Sequence, residues 1–273
     1  MKKWLIACLV LVLTVISSAC GQTTDKTGAA EKSGGGTSSG GSNTIRIITT
    51  AGGYPFNATN PDTNTVEGFM IDIINEMAKR IHLKTELSTG DWNSLIPSLQ
   101  SGKADVIVDG MYITEERKKS INFTDPVFAY GEGLIVPEKD KTTKSIEDLK
   151  GKTIGVQMGT SYKDMLEKKD KSLNIQVKTY QTLADILNDI QTGRLDGALA
   201  DAPSFSYIQS KNPNMKYRIV KDYVPSLTGK IGIGISKQRP ELVEKLNGAL
   251  KEMKDDGTLK KIYQKWGVDW DFK

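Results

Sequence analysis

Three places along the chain carry groups able to hold a small charged molecule. The first is Arg117, whose guanidinium can clamp a carboxylate through two parallel hydrogen bonds, a geometry lysine cannot match. It follows Thr114, which has the chemistry of a helix cap, so its backbone is expected on a short helix. The second is Gly159-Thr160-Ser161, where a predicted strand turns into a predicted helix. Backbone N–H groups at a helix start favour anions, and the two hydroxyls add donors. A plain capping turn fits the same residues, and both roles can share the same amides. The third is Asp201, at the end of an apolar strand and just before Pro203. A carboxylate there suits a cation in a cleft or a cap for the helix that follows. Catalytic sets cannot be assembled around these groups. His82 is the single histidine, placed after the apolar face of a helix where it reads as structural, and the only cysteines are Cys8 and Cys20. Neither a Ser-His-Asp triad nor a metal-ligand set follows from them.

The elements that must position these groups alternate between strand and helix. Ile45 to Ile48, Ala104 to Val108, Thr153 to Val156, Leu195 to Ala200 and Ile231 to Ile235 read as strands. Phe69, Ile73, Met77 and Ile81 recur at helical spacing, as do Leu183, Ile186, Leu187 and Ile190, and Leu242, Leu246, Ala249, Leu250 and Met253. Ser145-Ile146-Glu147-Asp148 reads as a helix-start cap, with Gly151 just past that short helix. Pro203 fits the first turn of another helix. The alternation predicts an α/β body with largely parallel sheets, in which ligands sit beyond the carboxyl ends of strands. That rule points to the residues after Val108, Val156 and Ala200.

The amino-terminal segment sets the expected compartment. Met1-Lys2-Lys3-Trp4 precedes an apolar run from Leu5 to Ile16, then Ser17-Ser18-Ala19-Cys20-Gly21. This layout reads as a cleaved signal over 1–19, too short for the roughly 20 residues of a spanning helix. It resembles a bacterial lipobox, in which the cysteine receives lipid, with Ser17 where Leu is commonest. Residues 20–43 are then a flexible tether, rich in Gly, Ser and Thr, with a reach of roughly 25–30 Å. The expected location is the outer face of the cell membrane, by a lipid anchor. The formal charge is +4, of which Lys2 and Lys3 supply two, so a nucleic-acid partner is not expected.

The body resembles the bacterial extracellular solute-binding proteins of the polar amino-acid class, family 3. The resemblance rests on Gly90-Asp91-Trp92-Asn93-Ser94-Leu95-Ile96-Pro97-Ser98-Leu99, on Gly102-Lys103-Ala104-Asp105, and on Gly110-Met111-Tyr112-Ile113-Thr114-Glu115-Glu116-Arg117. Further matches are Tyr54-Pro55-Phe56, Glu67-Gly68-Phe69, Phe123-Thr124-Asp125-Pro126, Asp148-Leu149-Lys150-Gly151-Lys152, Gly159-Thr160-Ser161 and Leu199-Ala200-Asp201, in order from about Thr44 to the end. It implies a type II periplasmic-binding-protein-like fold, two lobes joined by a two-strand hinge. Lobe one would be 44–130 plus 227–273, and lobe two 131–226. It also implies a monomer without cofactor or metal, and delivery to an ABC permease. In such a protein Arg117 takes the ligand's carboxylate with Thr160 and Ser161, Asp201 its ammonium, and Trp92 walls its side chain. Gly110 and Tyr112 adjoin the same ligand, and Tyr54 and Phe56 form an opposite wall.

Departures from the family pattern bear on the ligand. The loop Thr49-Thr50-Ala51-Gly52-Gly53 lacks the acid that many members carry there. Asp109 stands where serine or alanine is usual, and Tyr112 replaces a common Ser or Thr. Asp109 and Asp201 together favour a cationic ligand such as arginine or lysine; alternatively Asp109 takes over ammonium binding and the ligand is neutral. Bulky Tyr112 argues for a smaller ligand or for a ring sandwiched against Trp92, and compatible solutes with a carboxylate and a delocalised cation also fit. Two other functions share this fold, a dehydratase-type enzyme and a sensor module for a membrane receptor. No general acid or base stands out for the first.

Overall fold

The structure is a computed structural model and describes residues 43–268. The expected signal segment, Cys20 and the tether up to Ser42 lie outside the described residues.

The first lobe opens with β1 (Thr44–Thr49), followed by a small antiparallel sheet of β2 (Gly52–Gly53), β3 (Asn57–Thr59) and β4 (Val66–Glu67). Helix α1 (Phe69–Arg80) follows because its stripe of Phe69, Met70, Ile73, Ile74 and Met77 is fully buried, with Asp72 in its first turn and Lys79 and Arg80 in its last. Its entry requires a glycine. Gly68 has φ +151°, and a Cβ there would stand 2.1 Å from the carbonyl oxygen of Phe56. Then come β5 (Lys84–Thr89), a 3-10 turn at Trp92–Ser94, α2 (Leu95–Gln100), β6 (Val106–Ile107), α3 (Glu115–Ser120) and β7 (Asn122–Phe123). Thr114 caps α3 as expected, its Oγ1 accepting from the Arg117 N–H at 3.2 Å.

The chain crosses to the second lobe on the ten-residue β8 (Phe128–Pro137). There β9 (Thr153–Gln157), α4 (Ser161–Leu173), β10 (Gln176–Tyr180), α5 (Leu183–Gln191), β11 (Gly197–Asp201), α6 (Ala202–Lys211) and β12 (Tyr217–Ile219) alternate as the apolar periodicity demands. Pro203 lies in the first turn of α6. The helix expected after Ser145 is a 3-10 turn at Glu147–Leu149, and its cap runs the other way: Asp148 accepts from the N–H groups of Lys144 and Ser145. The return is made by β13 (Thr228–Ile231), β14 (Gly234–Ile235), α7 (Glu241–Asp255) and α8 (Thr258–Lys265).

Both main sheets are mixed rather than largely parallel. The first has the order β5-β1-β6-β14-β7, with β5, β1 and β6 paired parallel and β14 antiparallel to both β6 and β7. The second has the order β10-β9-β11-β8-β12, with β10, β9 and β11 parallel and β8 against them. The strands that run against the rest, β14 and β8, are those that bring the chain into each sheet: a strand entering a sheet from the cleft runs opposite to strands whose carboxyl ends face it. The link itself is an antiparallel pair, Phe128–Gly131 of β8 against β13.

Where β8 leaves that pair, Glu132 is fully buried and accepts from the Tyr223 hydroxyl and from the N–H groups of Ser226 and Leu227. The carboxylate thus holds the return segment to the outgoing strand. Glu132→Ala takes the acceptor from three part-buried donors and should cost about 2–4 kcal/mol. That is a fall in Tm of roughly 5–12 °C for a body of this size, measurable by thermal melts followed by circular dichroism.

Candidate functional site

The parallel strands of both sheets end at one cavity of about 480 Å3. Thr50 follows β1, Asp109 and Gly110 follow β6, Gln157 ends β9 and Asp201 ends β11, and all of them line it. The residues after Val108, Val156 and Ala200, to which the strand-end rule directed attention, thus meet on one cavity.

Arg117 reaches the cavity from the first turn of α3. Its Nη1 donates to the Tyr112 carbonyl at 2.9 Å and its Nη2 to the Gly159 carbonyl at 3.3 Å. Two carbonyls fix the plane of the fork and leave further N–H groups for an anion. Burial pulls the guanidinium down from its ordinary value, with Tyr130, Asp164, Tyr162 and Asp201 opposing. Trp92 also lines the cavity, and its Nε1 donates to the same Gly159 carbonyl at 3.1 Å. Its ring carries the Arg117 guanidinium carbon 5.5 Å from the centroid. One carbonyl of the second lobe thus gathers the first lobe's arginine and tryptophan, and Asn93 adds a contact to Gln181 at 3.3 Å.

Asp201 occupies the cap position of α6 but makes no side-chain capping bond, which removes the helix-cap reading. Its Oδ1 accepts from the Tyr162 hydroxyl at 2.7 Å. Burial pushes the carboxyl up to about 6, Asp109 pushes the same way, and the Tyr162 and Tyr130 hydroxyls and Arg117 oppose. A half-buried carboxylate in such surroundings gains from a cation placed against it.

Asp109 is 5% exposed, and its Oδ2 accepts from the Thr50 N–H and hydroxyl at 2.9 Å and from Asn57 Nδ2 at 2.7 Å. Its Oδ1 accepts from the Gly110 N–H at 2.7 Å. Its charge thus ties the Thr50 loop to the end of β6. Gly110 lets neighbours approach the backbone, since a Cβ would stand 2.9 Å from the Tyr130 hydroxyl and 3.3 Å from Asp201 Oδ2. Tyr112 lies low in the cavity wall, its ring packed against Tyr130 and edge-on to Tyr162 rather than across from Trp92. Thr160 and Ser161 line the cavity at the start of α4. The Thr160 hydroxyl donates to Gln157 and accepts from the Lys163 N–H, so it acts as a cap.

Tyr54 and Phe56 are not on the cavity. The turn closed by the Phe56 N–H on the Gly53 carbonyl sends Phe56 inward, 1% exposed, against Phe69, Phe128 and Tyr130. Tyr54 points away, stacked on Tyr207 of α6 at 4.7 Å. The residues that line the cavity there are Thr50 to Gly53.

The description "bacterial extracellular solute-binding proteins, family 3" matches residues 45–269. The chain belongs to that family. It is 32% identical to a probable amino-acid-binding protein, YxeM, of Bacillus subtilis (strain 168), over 97% of this chain and 95% of that one. It is also 32% identical to the arginine-binding extracellular protein ArtP of the same organism, over 97% and 98%. Among solved structures, an ancestral arginine-binding protein bound to arginine superposes with a TM-score of 0.77 at 38% identity, covering 82% of this chain and 98% of that one. These relatives are binding proteins, and the chain is a solute-binding protein of the two-lobe type II fold, not an enzyme. Among the described residues no helix is long and apolar enough to cross a membrane.

Sequence reasoning missed several residues that line this cavity. Tyr130, Tyr162 and Gln181 line the cavity from three different segments. Only Tyr162 carried a signal, as the residue next to Gly159-Thr160-Ser161.

A carboxyl held above its unfolded value of about 3.9 binds its proton more tightly in the folded protein. The stability it contributes is fully present below that value and is lost as pH rises through about 6. Asp201→Asn should remove this loss. Between about pH 4 and 7 the variant should gain roughly 1–2 kcal/mol on the wild type, a figure discounted for the part of the carboxylate facing cavity water. Urea midpoints of both proteins across that range give the difference directly.

Proposed function

We propose that the protein captures a polar amino acid, with a cationic side chain favoured, and delivers it to an ABC permease. The observation that carries this reading is the guanidinium of Arg117 and the carboxylate of Asp201 on one cavity, contributed by different lobes. They match the carboxylate and ammonium of a free amino acid, with Thr160 and Ser161 at the carboxylate end and Gly110 and Tyr112 beneath. The side chain then runs along Trp92 toward Asp91, Gln157 and Gln181. Three carboxylates, Asp91, Asp109 and Asp201, line the cavity beside the single guanidinium of Arg117, so a second positive charge on the ligand is favoured. The arginine-binding relatives support the same class.

In this reading lobe one is 44–130 with 227–273 and lobe two is 131–226, and they close on the ligand about the β8–β13 pair. The protein acts as a monomer, held on the outer face of the membrane by lipid on Cys20 and by the tether that follows.

Calorimetric titration with arginine, lysine, histidine, glutamine and an ectoine-like solute tests the ligand. Saturable binding of a cationic amino acid is expected, and Arg117→Ala should weaken it at least 100-fold, about 3 kcal/mol or more. An unchanged affinity in that variant would remove the pose, and no heat with any amino acid would remove the ligand class. For the anchor, Cys20→Ser should move the protein from the membrane fraction to the medium; a variant that stays with the membrane would rule out lipidation at that residue.

A further inference from the structure

Four polar links run in sequence from the cavity into the strand that joins the lobes. Tyr162, in the first turn of α4, donates to Asp201 Oδ1 at 2.7 Å and lies 3.0 Å from the hydroxyl of Tyr112 in the other lobe. Tyr112 donates to the Tyr130 carbonyl at 2.8 Å, and the Tyr130 hydroxyl donates to the Gly110 carbonyl at 2.7 Å. Each link needs one proton between its two oxygens, and a carbonyl supplies none. Three hydroxyls bring three protons to four links. With Asp201 ionised, one link therefore has no proton.

The chemistry of the acceptors decides which link it is. A carbonyl holds the proton of Tyr112, and Tyr130, whose hydroxyl also faces Asp201, keeps its proton on the Gly110 carbonyl at 2.7 Å, so the deficit falls on Tyr162, which can serve either Asp201 or Tyr112. A charged acceptor makes the stronger bond, so Tyr162 turns to Asp201. Its contact with Tyr112 is then two hydroxyl oxygens with no proton between them. A fourth proton, taken from solvent by Asp201, completes the chain. The carboxylic acid donates to Tyr162, Tyr162 donates to Tyr112, and the lobes are joined.

We infer that Tyr162 is a positioning residue whose single proton couples the charge on Asp201 to the contact between lobes, neutral Asp201 favouring closure and ionised Asp201 loosening it. The groups facing Asp201 are Tyr162 from α4, Tyr130 from β8, and Asp109 and Arg117 from the first lobe. Burial and Asp109 bring the carboxyl up to about 6, so the change falls in an accessible range. Burial raises all three tyrosines, so they keep their protons throughout it. The device shares Asp201 with the proposed ligand site but is read without ligand, so failure of either leaves the other standing.

Small-angle X-ray scattering of the ligand-free protein at about pH 5 and pH 8 tests it. The wild type should be more compact at pH 5, its closed population several-fold higher than at pH 8. Tyr162→Phe should lose this change and remain extended at both. Asp201→Asn, whose amide donates to Tyr162 as the acid does, should remain compact at both; the two variants test the chain from opposite ends, so either alone suffices if the other does not fold. A wild type of equal dimensions at both values, or the full wild-type change in either variant, would overturn the inference.

Discussion

Arg117 and Asp201 place opposite charges on one cavity, and much of the cleft is arranged to keep them from neutralising each other. A direct ion pair would satisfy both and leave nothing to recognise a zwitterion. Arg117 is instead held by the carbonyls of Tyr112 and Gly159, and Asp201 by the hydroxyl of Tyr162. Neutral partners orient a charge without cancelling it, so both retain the capacity to favour a ligand of matching polarity. The cost appears in the folded state as a depressed arginine and an elevated aspartate.

Asp109 solves a related problem in a different way. The family pattern has an acid in the loop before Tyr54-Pro55-Phe56, and this chain has Thr49-Thr50-Ala51-Gly52-Gly53 instead. Asp109 reaches that loop from the end of β6 and accepts from Thr50 and Asn57. The negative charge is thus present at the loop, supplied from a neighbouring strand and fixed by three donors. A carboxylate so engaged contributes field more than a free hydrogen-bond acceptor. That distinguishes its part in the cavity from that of Asp201.

What the sequence made legible was local. The α1 stripe, the Thr114 cap, the proline of α6 and the strand ends that flank the cavity all follow from periodicity and from side chains acting within a few residues of themselves. Arg117 and Asp201 were legible because each closes or opens such an element. Tyr54 and Phe56 were not, because adjacent aromatics in a turn give no indication of which faces the core. The small sheet and the Gly53–Phe56 turn decide that, and both depend on contacts with α1 and α6. Tyr130 was hidden for the same reason: its meeting point with Tyr162 exists only once both lobes are assembled. The mixed sheets were missed because alternation of strand and helix reports composition of a lobe but not the direction in which the chain enters it.

Tyr112 and Gly229 illustrate how far a single departure propagates. A tyrosine in place of a small hydroxyl residue needs room, and the room lies over β13. A Cβ on Gly229 would come within 2.4 Å of the Tyr112 ring. The ring therefore rests on the backbone of the strand that returns between the lobes, while its hydroxyl donates to the carbonyl of Tyr130 on the strand that leaves. Gly229 and Tyr130 are register partners across that pair. A side chain whose motif position suggests only contact with a ligand is thus braced on both connecting strands at once. Any movement of one lobe against the other must shear that contact or carry Tyr112 with it. In the proposed function, ligand recognition and lobe motion consequently share a residue, and a substitution at either Tyr112 or Gly229 would act on both.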